Sequence, residues 1–257
     1  SQVTSMKSIF YRCTMLELLD LSNFNTQNVF YMDSLFYECS SLIKLDLENF
    51  TLTKVKSMGY MFHGCISLTS IILPDITKLA VTNTSYMFDG CASLITIDLP
   101  NFDSGNIITM DYMFSHCSNL ENIYFHDWNT KKVRTMDYLF NGCASLKYLD
   151  LTNIETPQLR SIKGMFYACS SLESIDLTNF NTSLVTNMDF LFFKDFSLKK
   201  IIFLKENSTE NVNNTQLSIP NFSIASVETM RYMFSFCSQL KNLDLYFFNI
   251  SNVIDTS

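Results

Sequence analysis

The stretch Cys91-Ala-Ser-Leu-Ile-Thr-Ile-Asp-Leu-Pro-Asn-Phe-Asp-Ser-Gly-Asn-Ile-Ile-Thr-Met-Asp-Tyr-Met-Phe-Ser-His116 is one turn of a coil, and the whole chain is that turn repeated. Cys13, Cys39, Cys65, Cys91, Cys117, Cys143 and Cys169 stand 26 residues apart without exception. The next place holds Asp195, and Cys237 follows it after 42 residues, one period plus 16. A fixed period in the twenties is the mark of a solenoid, in which each turn buries its apolar side only against its neighbours.

Three residues after each of these places comes Leu, as in Leu16, Leu94 and Leu240. Leu or Ile follows at six and Leu or Phe at eight, so Leu19-Asp20-Leu21 reads as a short strand with Asp20 outward. The second half of the turn changes period. Met110, Met113, Phe114 and Cys117 recur at the i, i+3, i+4, i+7 spacing of a short helix. Ser5, Ser57, Asn83, Thr109, Thr135, Ser161, Asn187 and Thr229 precede it as N-caps. Asp33, Asp111, Asp137 and Asp189 follow where a negative charge suits the helix dipole.

The expected fold is therefore α/β, a solenoid of about nine turns, each a short strand plus a short helix. Strands stacked at about 4.8 Å would make one continuous parallel sheet. Because strands are narrower than helices, that sheet is expected on the concave side. The Phe at one repeat position, from Phe10 to Phe234, would form an internal spine.

Residues 1–257 read as a single repeat-array domain, with an insertion loop at 205–216 in the eighth turn. A hydrophobic share of 47% and 23 phenylalanines supply ample core. The net charge is −7 and the basic residues are scattered, so nucleic acid is not an expected partner. No apolar run approaches the roughly 18 residues that span a bilayer. The chain has no initiator Met and no signal peptide at its start, as expected of a mature or excised chain.

The string Met-x-x-Met-Phe-x-x-Cys-x-x-Leu, as in Met110 to Leu120, continues into Ile-Asp-Leu-x-x-Phe, as in Ile175 to Phe180. It resembles the BspA-like 26-residue leucine-rich repeat of bacterial and protist surface proteins. The resemblance implies a right-handed solenoid, placement at the cell surface or outside the cell, adhesion or partner binding, and no catalytic residues. It also implies that Asn23, Asn49, Asp75, Asn101, Asp127, Asn153 and Asn179 form the buried asparagine ladder of such repeats.

The cysteines read as buried thiols rather than disulfides or metal ligands. Stacked side chains would all point one way, so their Cβ vectors would not face each other. No Cys-x-x-Cys occurs. His63 and His116 neighbour Cys65 and Cys117 in sequence, but adjacent helical positions face apart. No catalytic residue, metal site or cofactor is expected.

The outward strand position carries Asp20, Asp46, Asp98, Asp150, Asp176 and Asp244, with Tyr124, Ile72 and Ile202 between them. Asp is depleted in strands, so this column reads either as spaced, solvated charge or as a polar groove for a cation or a basic partner. With Tyr124 it is the candidate concave-face site. Asn181, Asn207, Asn213 and Asn249 lie in loops as candidate N-glycosylation sites. Asn49 and Asn221 also carry sequons, but fall on the ladder and are expected inward.

The expected function is a non-enzymatic scaffold for adhesion to a protein or glycan partner. The alternative is a structural subunit that docks on itself head to tail and grows into an extracellular filament. The motive is that both ends fall mid-turn without a polar capping repeat.

Overall fold

Among the described residues each strand is only three residues long, and six occur. The computed structural model describes residues 2–74, 76, 79–99, 104–124, 128–203, 221–246 and 248–257. Strand β1 (Lys44–Asp46) pairs with β2 (Ser70–Ile72), β3 (Thr96–Asp98) with β4 (Asn122–Tyr124), and β5 (Ser174–Asp176) with β6 (Lys200–Ile202). All three pairs are parallel and joined one repeat apart: Leu45 faces Ile71, Ile97 faces Ile123 and Ile175 faces Ile201. In β1, β3 and β4 the middle residue is buried and its neighbours are exposed, as the period of two requires.

The sheet is not continuous, and Leu19-Asp20-Leu21 forms no strand. Where the outward residue is aspartate, it bonds to the backbone just beyond the strand. Asp46 Oδ1 accepts from the N–H of Glu48 at 2.9 Å and Asp176 Oδ1 from that of Thr178 at 2.9 Å. Each such bond closes a local turn directly after the strand. Continuity comes instead from single-residue parallel bridges, running from Ser5↔Tyr31 to Thr229↔Asp255. The link Asn187↔Thr229 spans the longer interval, so the extra residues leave this ladder unbroken.

The expected short helix is absent: none occurs among the described residues. Two residues of each turn, four apart, occupy the left-handed region. Tyr112 has φ 58° and His116 φ 56°, and Gly64, Gly90 and Gly142 hold the second place in their own turns at 70–76°. A left-handed residue breaks the right-handed path and costs roughly 1–2 kcal/mol when it carries a Cβ. The gain is lateral bonding. Tyr112 N–H donates to Asp137 O at 2.8 Å and Phe114 N–H to Leu139 O at 3.0 Å, both in the next turn. Between them, Met113 N–H donates to Met110 O and Cys117 N–H to Phe114 O, three residues back. Helical spacing of the apolar residues survives because successive tight turns return the chain to one side about every three to four residues, as a helix does.

The expected cap residues accept a nearby N–H, as Asn83 does from Ser85 and Asn187 from Asp189, both at 2.9 Å, while the aspartates that follow them bond between turns. Asp111 Oδ1 accepts from Asp137 N–H at 2.8 Å, and its Oδ2 from the Thr135 hydroxyl at 3.0 Å. Asp137 repeats this with Lys163 N–H at 2.9 Å and the Ser161 hydroxyl. Asp189 does so with Arg231 N–H at 2.8 Å and the Thr229 hydroxyl.

The phenylalanine spine is present and unbroken. Ring centroids from Phe10 through Phe36, Phe62, Phe88, Phe114, Phe140, Phe166 and Phe192 to Phe234 are 5.2–5.9 Å apart and nearly parallel. Fully burying one Phe is worth roughly 1.5–3 kcal/mol, more than any exposed ion pair on this surface. The asparagine ladder, by contrast, is not inside. Asn23, Asn49 and Asn153 are exposed and Asn179 half-buried, while Asp75, Asn101 and Asp127 lie outside the described residues. Asn221, expected inward, is exposed as well. The buried polar ladder is built from threonine. Thr156 Oγ1 donates to Asn181 O at 3.1 Å and accepts from Asn181 N–H at 2.8 Å, and Thr182 does the same with Ser223. Thr26 and Thr130 stand in the same column, both buried. A short hydroxyl both gives and takes a hydrogen bond within the narrow space between turns.

Candidate functional site

The strand column carries the candidate residues to the surface. Asp20, Asp46, Asp98, Asp150 and Asp244 are exposed and Asp176 half-buried. Tyr124 is 50% exposed and lies in register with Asp98. Asp46 pairs in the same way with Ile72, and Asp176 with Ile202. Asp20, Asp150 and Asp244 lie outside the named strands, so no strand pairing joins them to the rest.

These aspartates have local work. Asp20, Asp150 and Asp244 each accept the N–H two residues on, at 2.9–3.1 Å. That bond from Ser22 holds the Asp20 carboxyl below its ordinary range, and the Thr152 hydroxyl and N–H do so for Asp150. Asp20 and Asp150 are therefore charged at neutral pH, with one oxygen committed to the turn.

Among them stands apolar surface that column counting underrated. Ile72 and Ile95 are each 53% exposed and Tyr148 65%. Together with Tyr124 they place one exposed apolar side chain on each of four consecutive turns, interleaved with Asp46, Asp98 and Asp150. Exposed apolar residues grouped among polar ones are the signature of a contact surface.

Of the sequon candidates, Asn181 is half-buried and its Oδ1 accepts from Ser183 N–H and Oγ at 3.0 and 2.7 Å. Asn249 is exposed, with its Oδ1 bound to Ser251 N–H at 3.1 Å. Asn207 and Asn213 lie outside the described residues, as does the insertion loop.

A titratable cluster escaped the sequence reading. His63 and His116, considered only beside their cysteines, both turn to Asp89. His63 Nδ1 lies 2.9 Å from Asp89 Oδ2, and His116 Nδ1 lies 3.1 Å from Oδ1. Desolvation works to raise the Asp89 pKa, but bonds to His116, His63 and Ser115 outweigh it and hold it at about 2. The carboxylate in turn raises that of His116. The signal was available: 63, 89 and 115 are one period apart, so these residues stack. Ser115 Oγ and Asp89 both face His116 Nδ1, at 2.8 and 3.1 Å. A nucleophilic relay needs acid and hydroxyl on opposite ring nitrogens, and this cluster does not have that form.

The cysteines are free thiols. Those from Cys39 to Cys169 are buried, and desolvation pushes Cys39 up to about 11 and Cys65 up to about 12. Among the described residues no group of three or more His, Cys, Asp or Glu is placed to hold a metal ion. No helix there is long and apolar enough to cross a membrane.

A family model described as "Mycoplasma protein of unknown function, DUF285" matches residues 1–95, 82–202 and 149–257. No curated protein matches the chain. Among solved structures, a leucine rich cell surface protein from Faecalibacterium prausnitzii is similar over 94% of this chain and 69% of its own, at 19% identity and a TM-score of 0.39. A leucine-rich repeat protein from T. pallidum is similar over 82% and 70%, at 21% identity and a TM-score of 0.39. One from Eubacterium ventriosum covers 97% and 86%, at 12% identity and a TM-score of 0.35. At these TM-scores the likeness fixes neither a superposition nor a function.

Proposed function

This chain belongs to the DUF285 family, a repeat family of the BspA-like kind, and on that footing we propose that it is a non-enzymatic scaffold displayed at the cell surface or outside the cell. Residues 1–257 act as one array whose strand face holds a protein or glycan partner. The observation that carries this reading is the interleaving of Ile72, Ile95, Tyr124 and Tyr148 with Asp46, Asp98 and Asp150 on that face. Buried aromatic and aliphatic anchors supply most binding energy, while charges around them set orientation and association rate. An acidic rim favours a partner with basic residues beside its apolar contact. The right-handed course of the coil and a concave strand face belong to the same proposal.

The test is a binding panel of extracellular matrix proteins and glycans, run with the parent chain and with Tyr124→Ser/Tyr148→Ser. Both tyrosines are exposed, so the variant should melt like the parent. Binding that the variant loses supports the reading. A parent that binds nothing, or a variant that binds as well, defeats it. Head-to-tail assembly remains the alternative, and light scattering on the same samples decides it by a concentration-dependent series of multiples.

A further inference from the structure

The turn segment carries its own surface column of rings, away from the strands. Phe193 continues the position of Tyr11, Tyr37 and Tyr167, and Tyr167 covers it at 4.9 Å between centroids. In the next turn the same position holds Ser235, which is too small to cover it further. The gap is an open cleft of about 570 Å3 lined by Phe190, Phe193, Tyr232, Ser235 and Phe236. Phe190 and Tyr232 stack on each other at 5.4 Å, and Phe193 meets them at 84° and 81°. Phe236 meets Phe193 at 81° and 5.3 Å. Rings at right angles around one cleft make an aromatic cage.

The chemistry of the cage selects its ligand. Aromatic faces are negative in their quadrupole and attract cations. Phe193 already does so, since Lys194 Nζ stands over its ring at 5.3 Å from the centroid. The neighbouring Arg231 is neutralised by Asp189 at 2.6 Å. Ser235 supplies the only hydroxyl in the lining other than the phenol of Tyr232, and no carboxylate is there. An ammonium bearing N–H groups would lose its hydration without recovering equivalent acceptors. A quaternary ammonium has no N–H to satisfy. The chain's net charge of −7 favours a cation at long range. We propose that this cleft binds a quaternary ammonium group of the choline type. The proposal is independent of any partner on the strand face.

The test is titration of the whole chain with choline and with 3,3-dimethylbutanol, which has the same shape with carbon in place of nitrogen. Choline should bind saturably, and the neutral isostere roughly tenfold more weakly or not at all. Ser235→Tyr restores the covering ring and should abolish binding while the protein melts as before. Lys194→Gln removes a like charge and should tighten binding. Should Ser235→Tyr fail to fold, Phe236→Ala, at a residue 60% exposed, carries the same expectation of loss. Phosphatidylcholine vesicles separate the two sources of this chemistry. Co-sedimentation identifies a lipid headgroup, and choline binding without it identifies the free solute. Equal affinity for the isostere, no saturable choline binding, or a folded Ser235→Tyr that still binds choline overturns the proposal.

Discussion

The Sγ of Cys117 donates to the carbonyl oxygen of Phe88, 29 residues earlier, at 3.1 Å. The same bond recurs from Cys39 to Phe10, Cys65 to Phe36, Cys143 to Phe114 and Cys169 to Phe140. Each thiol thus adds a second donor to a spine carbonyl that already accepts the N–H three residues on, as Phe88 O does from Cys91. Burial also suppresses the thiolate, which is the reactive form. Treatment of the folded chain with iodoacetamide is expected to label exposed Cys13 and leave the buried thiols intact. After unfolding without reductant, mass spectrometry should find all eight cysteines labelled. Rapid labelling of Cys91 or Cys117 in the folded state, or fewer labels after unfolding, would refute the assignment.

Asp195 breaks that pattern. It is fully buried in the cysteine column, and neither carboxylate oxygen has a hydrogen-bond partner. Desolvation raises its pKa well above the ordinary 3.8, so the folded chain keeps its proton to higher pH than the unfolded chain does. The unfolded chain releases that proton above 3.8, and stability therefore falls as pH rises from there toward the folded value. Asp195→Cys replaces the carboxyl with a thiol placed to donate to the carbonyl of Phe166, 29 residues back. The expected gain near neutral pH is about 1–3 kcal/mol, the scale of one buried unsatisfied group. Urea denaturation should also show a flatter pH dependence than the parent. A variant no more stable than the parent would mean the carboxyl is satisfied.

Phe114 stacks between Phe88 and Phe140 at 5.8 and 5.9 Å and is fully buried. Phe114→Ala should cost about 3–5 kcal/mol through the cavity it opens. Because turns are stabilised mainly by their neighbours, the unfolding transition should broaden as the halves on either side uncouple. Phe10→Ala, at the half-buried end of the spine, should cost less. Equal losses at the two sites in chemical denaturation would contradict a spine whose burial deepens inward.

The period made the array, the spine and the inward leucines legible, because identical residues 26 apart must meet whatever the backbone between them does. The path of that backbone was not legible. Met110, Met113, Phe114 and Cys117 have the spacing of a helix, yet Tyr112 and His116 sit in the left-handed region, which bulky residues rarely adopt. Only the glycines signalled it, Gly164 at the first of the two places and Gly64, Gly90 and Gly142 at the second. The Thr column was overlooked because the family resemblance pointed to Asn. The proposed contact surface was half legible: Asp46, Asp98 and Tyr124 were named by register, whereas Tyr148 and Ile95 fall in other columns.

Asp89 lies between His63 and His116, with one oxygen toward each. Its depressed pKa, about 2 against an ordinary 3.8, means its stabilisation is present above 3.8 and is lost as pH falls toward 2. The raised value of His116 works the other way. Its stabilisation is complete below its ordinary 6.5 and is lost as pH rises through the folded value. The two overlap between 3.8 and 6.5, where Asp89→Asn should lower the melting temperature most. Outside that window the difference from the parent should shrink on both sides. In 1 M salt it should persist in part, since Asp89 is nearly buried and screened less than a surface charge. A difference that does not change from pH 3 to pH 9 would show that Asp89 contributes by shape and hydrogen bonding alone, with no part played by its charge.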